Sequence, residues 1–312
     1  MKALAWIGQQ RTRAIAALVL IGILIPPLGA LLKPYVTEAV VGLLCIAFLR
    51  IDISAVRAYL TRPRLVVLAT LWTTFAVPLL FVAGTLATGT PDASPALFQG
   101  LMLQSVASPM MAAPAFAALM GLDATLVLVT LVLSTALTPI SAPFFASFLS
   151  LDLSLSPLDL GLNLFAILAG SAIAGLLLRR VMGKERIASR RDEIDGVNII
   201  VLFVFVSAVM GEVGVEFLER PGLMLRLVAL AFVVFALLVA VTYFVFRAFG
   251  PDRAFAIAML TSQRNMGLML AGTGGLVPNL TWLYFAVAQF PIYFSPMMLH
   301  PVAKHLKSGK DG

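Results

Sequence analysis

Residues Phe255–Gly275 read FAIAMLTSQRNMGLMLAGTGG. The run is apolar and of membrane length, yet it carries Arg264 inside the polar cluster Thr261-Ser262-Gln263-Arg264-Asn265, with glycines at Gly267, Gly272, Gly274 and Gly275. A charge near the middle of a bilayer is costly, faces a protein interior or a watery cavity, and marks a functional site by default. Arg264 follows Arg253 by eleven residues, or ~16 Å of helix, which puts it near mid-membrane rather than at an edge. Two functional readings stand. The planar guanidinium fork suits a carboxylate, sulfate or phosphate ligand, or the side chain is a built-in cation that replaces a bound ion. The structural alternative is an arginine satisfied by backbone carbonyls, or one that snorkels to an interface.

The rest of the chain supports a membrane setting. Of 312 residues 61% are hydrophobic and 12% charged, with a mean hydropathy of +1.01. A soluble domain carries about 25% charged residues, so the composition is that of a polytopic membrane protein whose solvent is the lipid bilayer. The net charge of +7 does not point to nucleic acid, because the cations sit in short connections between apolar runs. The single cysteine, Cys45, excludes an internal disulfide and a cysteine metal cluster. No enzyme constellation is present: the two histidines, His300 and His305, lie at the C-terminal edge, and there is no HExxH, Gly-rich phosphate loop or membrane carboxylate pair. Glu38 and Glu212 fall near segment ends. No cofactor is expected, and sodium is doubtful.

Ten apolar segments run Ala14–Leu32, Tyr35–Phe48, Leu65–Ala87, Ala96–Met120, Ala124–Leu149, Leu158–Leu178, Val197–Val215, Met224–Phe249, Arg253–Gly275 and Leu280–Val302. The second is short for a span of about 20 residues. With the N-terminus inside, eighteen of the 22 Lys and Arg face the cytoplasm and only Lys33, Arg220 and Arg226 face out. That bias places both termini in the cytoplasm and makes 179–196 a cytoplasmic basic loop. The basic N-terminus is read as leading into an uncleaved first helix, since its apolar run continues to Leu32 without a small-residue cleavage site. A bacterial inner membrane is the expected location.

The chain, a single transmembrane domain over 1–312, divides into halves of five segments, 14–149 and 158–302. Five is odd, so the second half enters from the opposite side as an inverted-topology repeat. Pro139 and Pro143 in the fifth segment match Pro291 and Pro296 in the tenth. The fourth and ninth segments are the polar, Pro- or Gly-interrupted members at matching positions. Such paired interruptions point to discontinuous helices and a midplane binding site, because broken backbone at membrane depth must line protein or water. Gln104, Ser105 and Ser108 beside Pro109 are candidate hydrogen-bonding groups for substrate, opposite Thr261, Ser262, Gln263, Arg264 and Asn265. Helix–helix hydrogen bonding is the structural alternative for the small polar residues. Thr130, Ser134 and Thr135 are candidate ion ligands, or satisfy a carbonyl freed by Pro139. Asn163, Gln289 and Tyr293 are further lining candidates.

Ser108-Pro109 and Leu119-Met-Gly-Leu-Asp123-Ala, Ser134-Thr135-x-Leu-x-Pro139 and Asn265-x-Gly267-Leu268 resemble the bile acid/sodium symporter superfamily over most of the chain. That resemblance implies an all-α fold of ten transmembrane helices in a 5+5 inverted repeat. Discontinuous helices 4 and 9 would cross at the midplane, with one bundle rocking against the core that holds them. It also implies sodium ligands that this chain lacks. Pro114 and Ala115 stand where sodium-coupled members have a Ser-Asn pair, Leu260 stands at their Glu, and Arg264 at their Gln; only the Thr135 hydroxyl carries over. The expectation is a secondary transporter of a small or amphipathic organic anion by alternating access, without conventional sodium coupling. Two alternatives stay open: a sodium- or proton-coupled symporter using carbonyls and hydroxyls, and a channel or transporter-like sensor locked by Arg264. The partners expected are an organic anion and the lipid bilayer, not nucleic acid.

Overall fold

The computed structural model describes residues 4, 6, 21–51 and 63–308, and every regular element among them is helical. The principal helices are α1 (Pro26–Leu32), α2 (Val36–Arg50), α3 (Pro63–Leu71), α4 (Val77–Ala87), α5 (Pro95–Val106), α6 (Ala113–Leu119) and α7 (Ala124–Phe148). They continue as α8 (Pro157–Met182), α9 (Arg191–Met210), α10 (Pro221–Phe246), α11 (Pro251–Ser262), α12 (Met266–Gly272) and α13 (Asn279–Ser308). Among the described residues six helical runs are long and apolar enough to cross a membrane: Pro26–Arg50, Pro63–Ala87, Ala124–Phe148, Pro157–Met182, Arg191–Glu219 and Pro221–Phe249. The six account for the second, third, fifth, sixth, seventh and eighth expected segments. Much of the first lies outside the described residues, as do the N-terminal basic residues Lys2, Arg11 and Arg13. The fourth and ninth are each divided into two shorter helices, and the tenth falls within α13.

The short second segment is corrected. A 3-10 turn, Lys33–Tyr35, joins α1 to α2, so the helical run is 25 residues from Pro26 to Arg50. The break falls earlier, at Ile25 (φ −123°, ψ 70°). A residue before proline is driven out of the helical region, and proline suits the first helical turn, so Ile25-Pro26-Pro27 ends one helix and starts the next. Lys33 is therefore inside a helical run rather than in a loop, and pairs with Glu212 at 2.6 Å. Within 179–196, where sequence gave only a basic connection, a short helix Lys184–Ser189 lies between α8 and α9.

The chain forms two compact units. The first comprises Met1–Ile51, Leu162–Met224 and Leu270–Val277. In it α1 and α2 pack on α9 through small residues. A Cβ on Gly29 would lie 2.3 Å from the Gly211 Cα, so only glycine permits this backbone approach. Arg179 donates through Nη1 to the Leu49 carbonyl at 3.2 Å and to that of Ile51, capping the C-terminus of α2.

The second unit comprises Asp52–Gly161, Leu225–Met269 and Pro278–Gly312. Its apolar interior is built on α7, started by Asp123, whose Oδ1 accepts from the Leu126 amide at 2.9 Å. Leu131 and Val127 of α7 pack with Met259 and Leu260 of α11 and Ala117 of α6. Leu126 and Val129 pack with Ile257 of α11 and Val66 of α3. These contacts hold both α6 and α11 against one helix, and so position the ends that meet at the site.

Candidate functional site

Two links without helical structure meet in the second unit. The first joins α5 to α6. Pro109 has no amide hydrogen and pushes Ser108 out of the helical region, and Ala107 is already extended at φ −61°, ψ 142°. Pro114 then occupies the first turn of α6. The second link joins α11 to α12 and contains no proline. It is extended at Gln263 (φ −95°, ψ 93°). Backbone pairing holds the two together: the Met110 amide donates to the Gln263 carbonyl at 2.8 Å, and the Asn265 amide to the Ser108 carbonyl at 2.8 Å, as an antiparallel bridge between Pro109 and Arg264. Each link thereby supplies the partners the other needs, which is the condition for open backbone away from water.

Arg264 lies at this crossing, 1% exposed. Its Nη1 donates to the Ala107 carbonyl at 2.9 Å and to the Thr73 carbonyl at 3.2 Å; Nη2 also donates to Thr73 at 3.2 Å. Nε has no partner. Among the described residues no carboxylate pairs with it. The charge is balanced instead by carbonyl dipoles. Ala107 caps the C-terminus of α5 and Gln263 that of α11, so two helix ends of partial negative charge are directed to this place.

Thr73 was not singled out from sequence, and its carbonyl is available for a local reason. Residues Trp72–Ala76 form a π-turn between α3 and α4, in which the Val77 amide donates to the Trp72 carbonyl. Val77 is the residue whose amide would close an α-turn on Thr73. The next residue, Pro78, has no amide hydrogen. The Thr73 carbonyl is thus left without a helical donor, and the Arg264 fork supplies one. The threonine's hydroxyl lies 3.3 Å from that of Thr261. The signal was present as Thr73 followed five residues later by Pro78, but it has meaning only once the π-turn is known.

Most of the other expected residues divide into three groups. Gln263 and Asn265 belong to the crossing. Gln263 is buried and donates from Nε2 to Ser295 Oγ at 2.8 Å, leaving Oε1 without a partner. Asn265 Oδ1 accepts from the Leu268 amide at 3.1 Å, as the N-cap of α12. Ser108 contributes its carbonyl, while its buried hydroxyl has no partner. A second group is taken up by other protein groups. Ser105 donates to the Met102 carbonyl at 2.7 Å, Ser262 to that of Met259 at 2.9 Å, and Gln104 Oε1 accepts from the Tyr284 hydroxyl. Thr130, Ser134 and Thr135 form the third group, buried on α7 with unpartnered hydroxyls. Gln289 is buried and Tyr293 half-buried on α13. Asn163 belongs to the first unit, where its Nδ2 donates to the Gly272 carbonyl at 3.1 Å. A cavity of about 520 Å³ opens elsewhere in the second unit, beside Asp123, Gly250 and Arg253, and no expected site residue lines it.

A helical chain with several membrane-length apolar helices is that of an integral membrane protein, and the buried cation lies at a backbone crossing within it. Comparison with known families gives the match: the Sodium Bile acid symporter family matches residues 39–220, more than half of the chain, and the chain belongs to that family. It is a membrane transporter of the bile acid and organic anion type. The matched stretch includes Thr73, Pro78, Ser108 and Thr135 and ends before Arg264. No curated protein matches the chain.

Proposed function

We propose that the protein is a sodium-independent carrier of a small or amphipathic organic anion, working by alternating access, with Arg264 as its resident cation. The observation that carries this reading is the binding of the buried Arg264 guanidinium by the carbonyls of Thr73 and Ala107 at the meeting of two helix C-termini. A pair of buried carbonyl oxygens without a carboxylate is an environment for a cation, and here a covalently attached cation occupies it. An exchangeable ion would have to displace three charge-assisted hydrogen bonds. The fixed positive charge also gives the surrounding interior a bias toward anions. Leu260, fully buried one turn before Arg264, supplies no acid to offset it.

The inverted repeat belongs to this reading. α5 with α6, and α11 with α12, are the two halves of discontinuous spans four and nine. The division into units supports the repeat. Each half of the chain contributes its first two expected segments to the first unit and the greater part of its last three to the second. Helices occupying equivalent places in each half therefore cluster together.

A second reading is favoured by one observation, the unpartnered buried hydroxyls of Thr130, Ser134 and Thr135. These are the groups a sodium- or proton-coupled symporter without a carboxylate would use. Counterflow separates the readings. Proteoliposomes preloaded with an unlabelled organic acid should accumulate the labelled acid transiently, and equally in sodium and choline media. Accumulation only in sodium would establish the coupled symporter instead. Absence of counterflow across a panel of steroid-like and short keto acids would favour a channel or sensor.

A further inference from the structure

Arg264 needs an acceptor that an ordinary helix does not offer. In a regular helix every interior carbonyl is already taken by the amide four residues on. Three features together release the carbonyl of Thr73. The π-turn Trp72–Ala76 moves the Val77 amide onto Trp72. Position 78 is proline and supplies no amide to take up the vacated acceptor. Thr73 itself is 1% exposed, so water does not fill the gap. A buried carbonyl without a donor is costly, as is a buried guanidinium without an acceptor. Each removes the other's cost, through both Nη atoms at 3.2 Å.

We infer that Pro78 is the positioning residue of Arg264: by denying Thr73 a helical donor it creates the acceptor that holds the guanidinium fork at the crossing. Pro78 is buried near the start of α4, beyond the π-turn. Its role is to withhold a hydrogen bond rather than to make one. With any other residue at 78, a new amide competes with Arg264 for the Thr73 carbonyl, or closes an α-turn on Thr74 and draws the π-turn straight. The fork then loses its shared acceptor and keeps only Ala107. The Thr73–Thr261 hydroxyl contact places the same residue against α11, so a shift of the π-turn is felt on both sides of the crossing. The inference takes from the proposed function only the choice of Arg264 as the centre. Counterflow tests that function, and the following experiment tests the placement.

The test is a double-mutant cycle in the full-length protein, Pro78→Ala with Arg264→Met, read by thermal unfolding. If Pro78 acts through Arg264, Pro78→Ala lowers the midpoint by about 2–4 °C in the arginine protein and leaves it unchanged or raises it in the methionine protein, where the new amide meets a Thr73 carbonyl that has lost its fork, because only residues sharing an interaction couple in such a cycle. Failure of Pro78→Ala to fold alone, with folding restored by Arg264→Met, is the same result in stronger form. An equal loss in both backgrounds, or failure to fold in both, overturns the inference. A spectroscopic readout accompanies it. In protein labelled with 15N-arginine, with the Arg264 signals assigned by their loss in Arg264→Lys, the bound fork gives separate Nη1 and Nη2 resonances. Those resonances merge in Pro78→Ala as the guanidinium gains rotation. Averaged resonances in the unsubstituted protein, or separate ones that persist in Pro78→Ala, overturn it equally.

Discussion

The amide of Asn265 donates to the carbonyl of Ser108 at 2.8 Å across 157 residues of sequence. This bond and its neighbour from Met110 to Gln263 are the structural reason two backbone breaks are tolerated in an apolar interior. The Met110 and Asn265 amides and the Gln263 and Ser108 carbonyls are each satisfied by the opposite link, so the stability of the site is set by the pair, not by either segment.

Arg264→Gln removes a donor fork from two buried carbonyls. One amide satisfies at most part of that demand, and an unsatisfied buried acceptor costs about 1–3 kcal/mol. Counterflow should be abolished and the unfolding midpoint lowered. Transport at the unsubstituted rate would remove Arg264 from the mechanism.

Sodium should not stabilise the unsubstituted protein. A ligand specific for the folded state adds ~2.7 kcal/mol at a hundredfold excess over its Kd, which a thermal shift between sodium and choline at equal ionic strength detects readily. A sodium-specific rise would mean that the α7 hydroxyls, or another group, still hold an exchangeable ion.

Asn265→Ala should cost about 1 kcal/mol through loss of the cap on the Leu268 amide. Asn265→Asp retains an acceptor and should recover most of that loss. Denaturation of the two variants side by side decides the matter; equal losses would show that the side-chain cap contributes nothing.

Gly29→Ala should destabilise the first unit, since the new Cβ would meet backbone of Gly211 at 2.3 Å. Overpacking of this kind typically costs about 1–3 kcal/mol. Gly84→Ala is the control, because nothing lies within 4 Å of the added carbon and alanine favours the helix. Comparable midpoints for the two variants would refute the close approach of α1 and α9.

Tyr284→Phe should leave the buried Gln104 Oε1 without the hydroxyl it now accepts from, at a cost of about 1–3 kcal/mol. The pair Tyr284→Phe with Gln104→Leu removes donor and acceptor together and should be closer to the unsubstituted protein than the single change. Additive losses in thermal unfolding would show that the two side chains do not depend on one another.

The sequence by itself determined the class of the protein and several local events. Its hydropathy requires a bilayer, the place of Arg264 marks a costly interior charge, and Pro109 beside Gln104, Ser105 and Ser108 marks an interrupted polar segment. These are local consequences of solvent and covalent structure. The boundary before α1 was also written in the sequence, at Pro26-Pro27, but an apolar run passing through it concealed the break. Tertiary structure alone decided the rest. The break at Gln263–Asn265 has no proline to cause it and exists because Ser108 and Met110 supply its backbone partners. The acceptors of Arg264 come from Thr73 and Ala107, 191 and 157 residues away, and Thr73 is free only because a π-turn precedes a proline. Whether Ser105 or Ser108 retains an unused hydroxyl likewise depends on the rotamer and on what packs beside it. A carbonyl's availability is a property of the hydrogen bonds around it, and those are fixed only when the whole chain is folded.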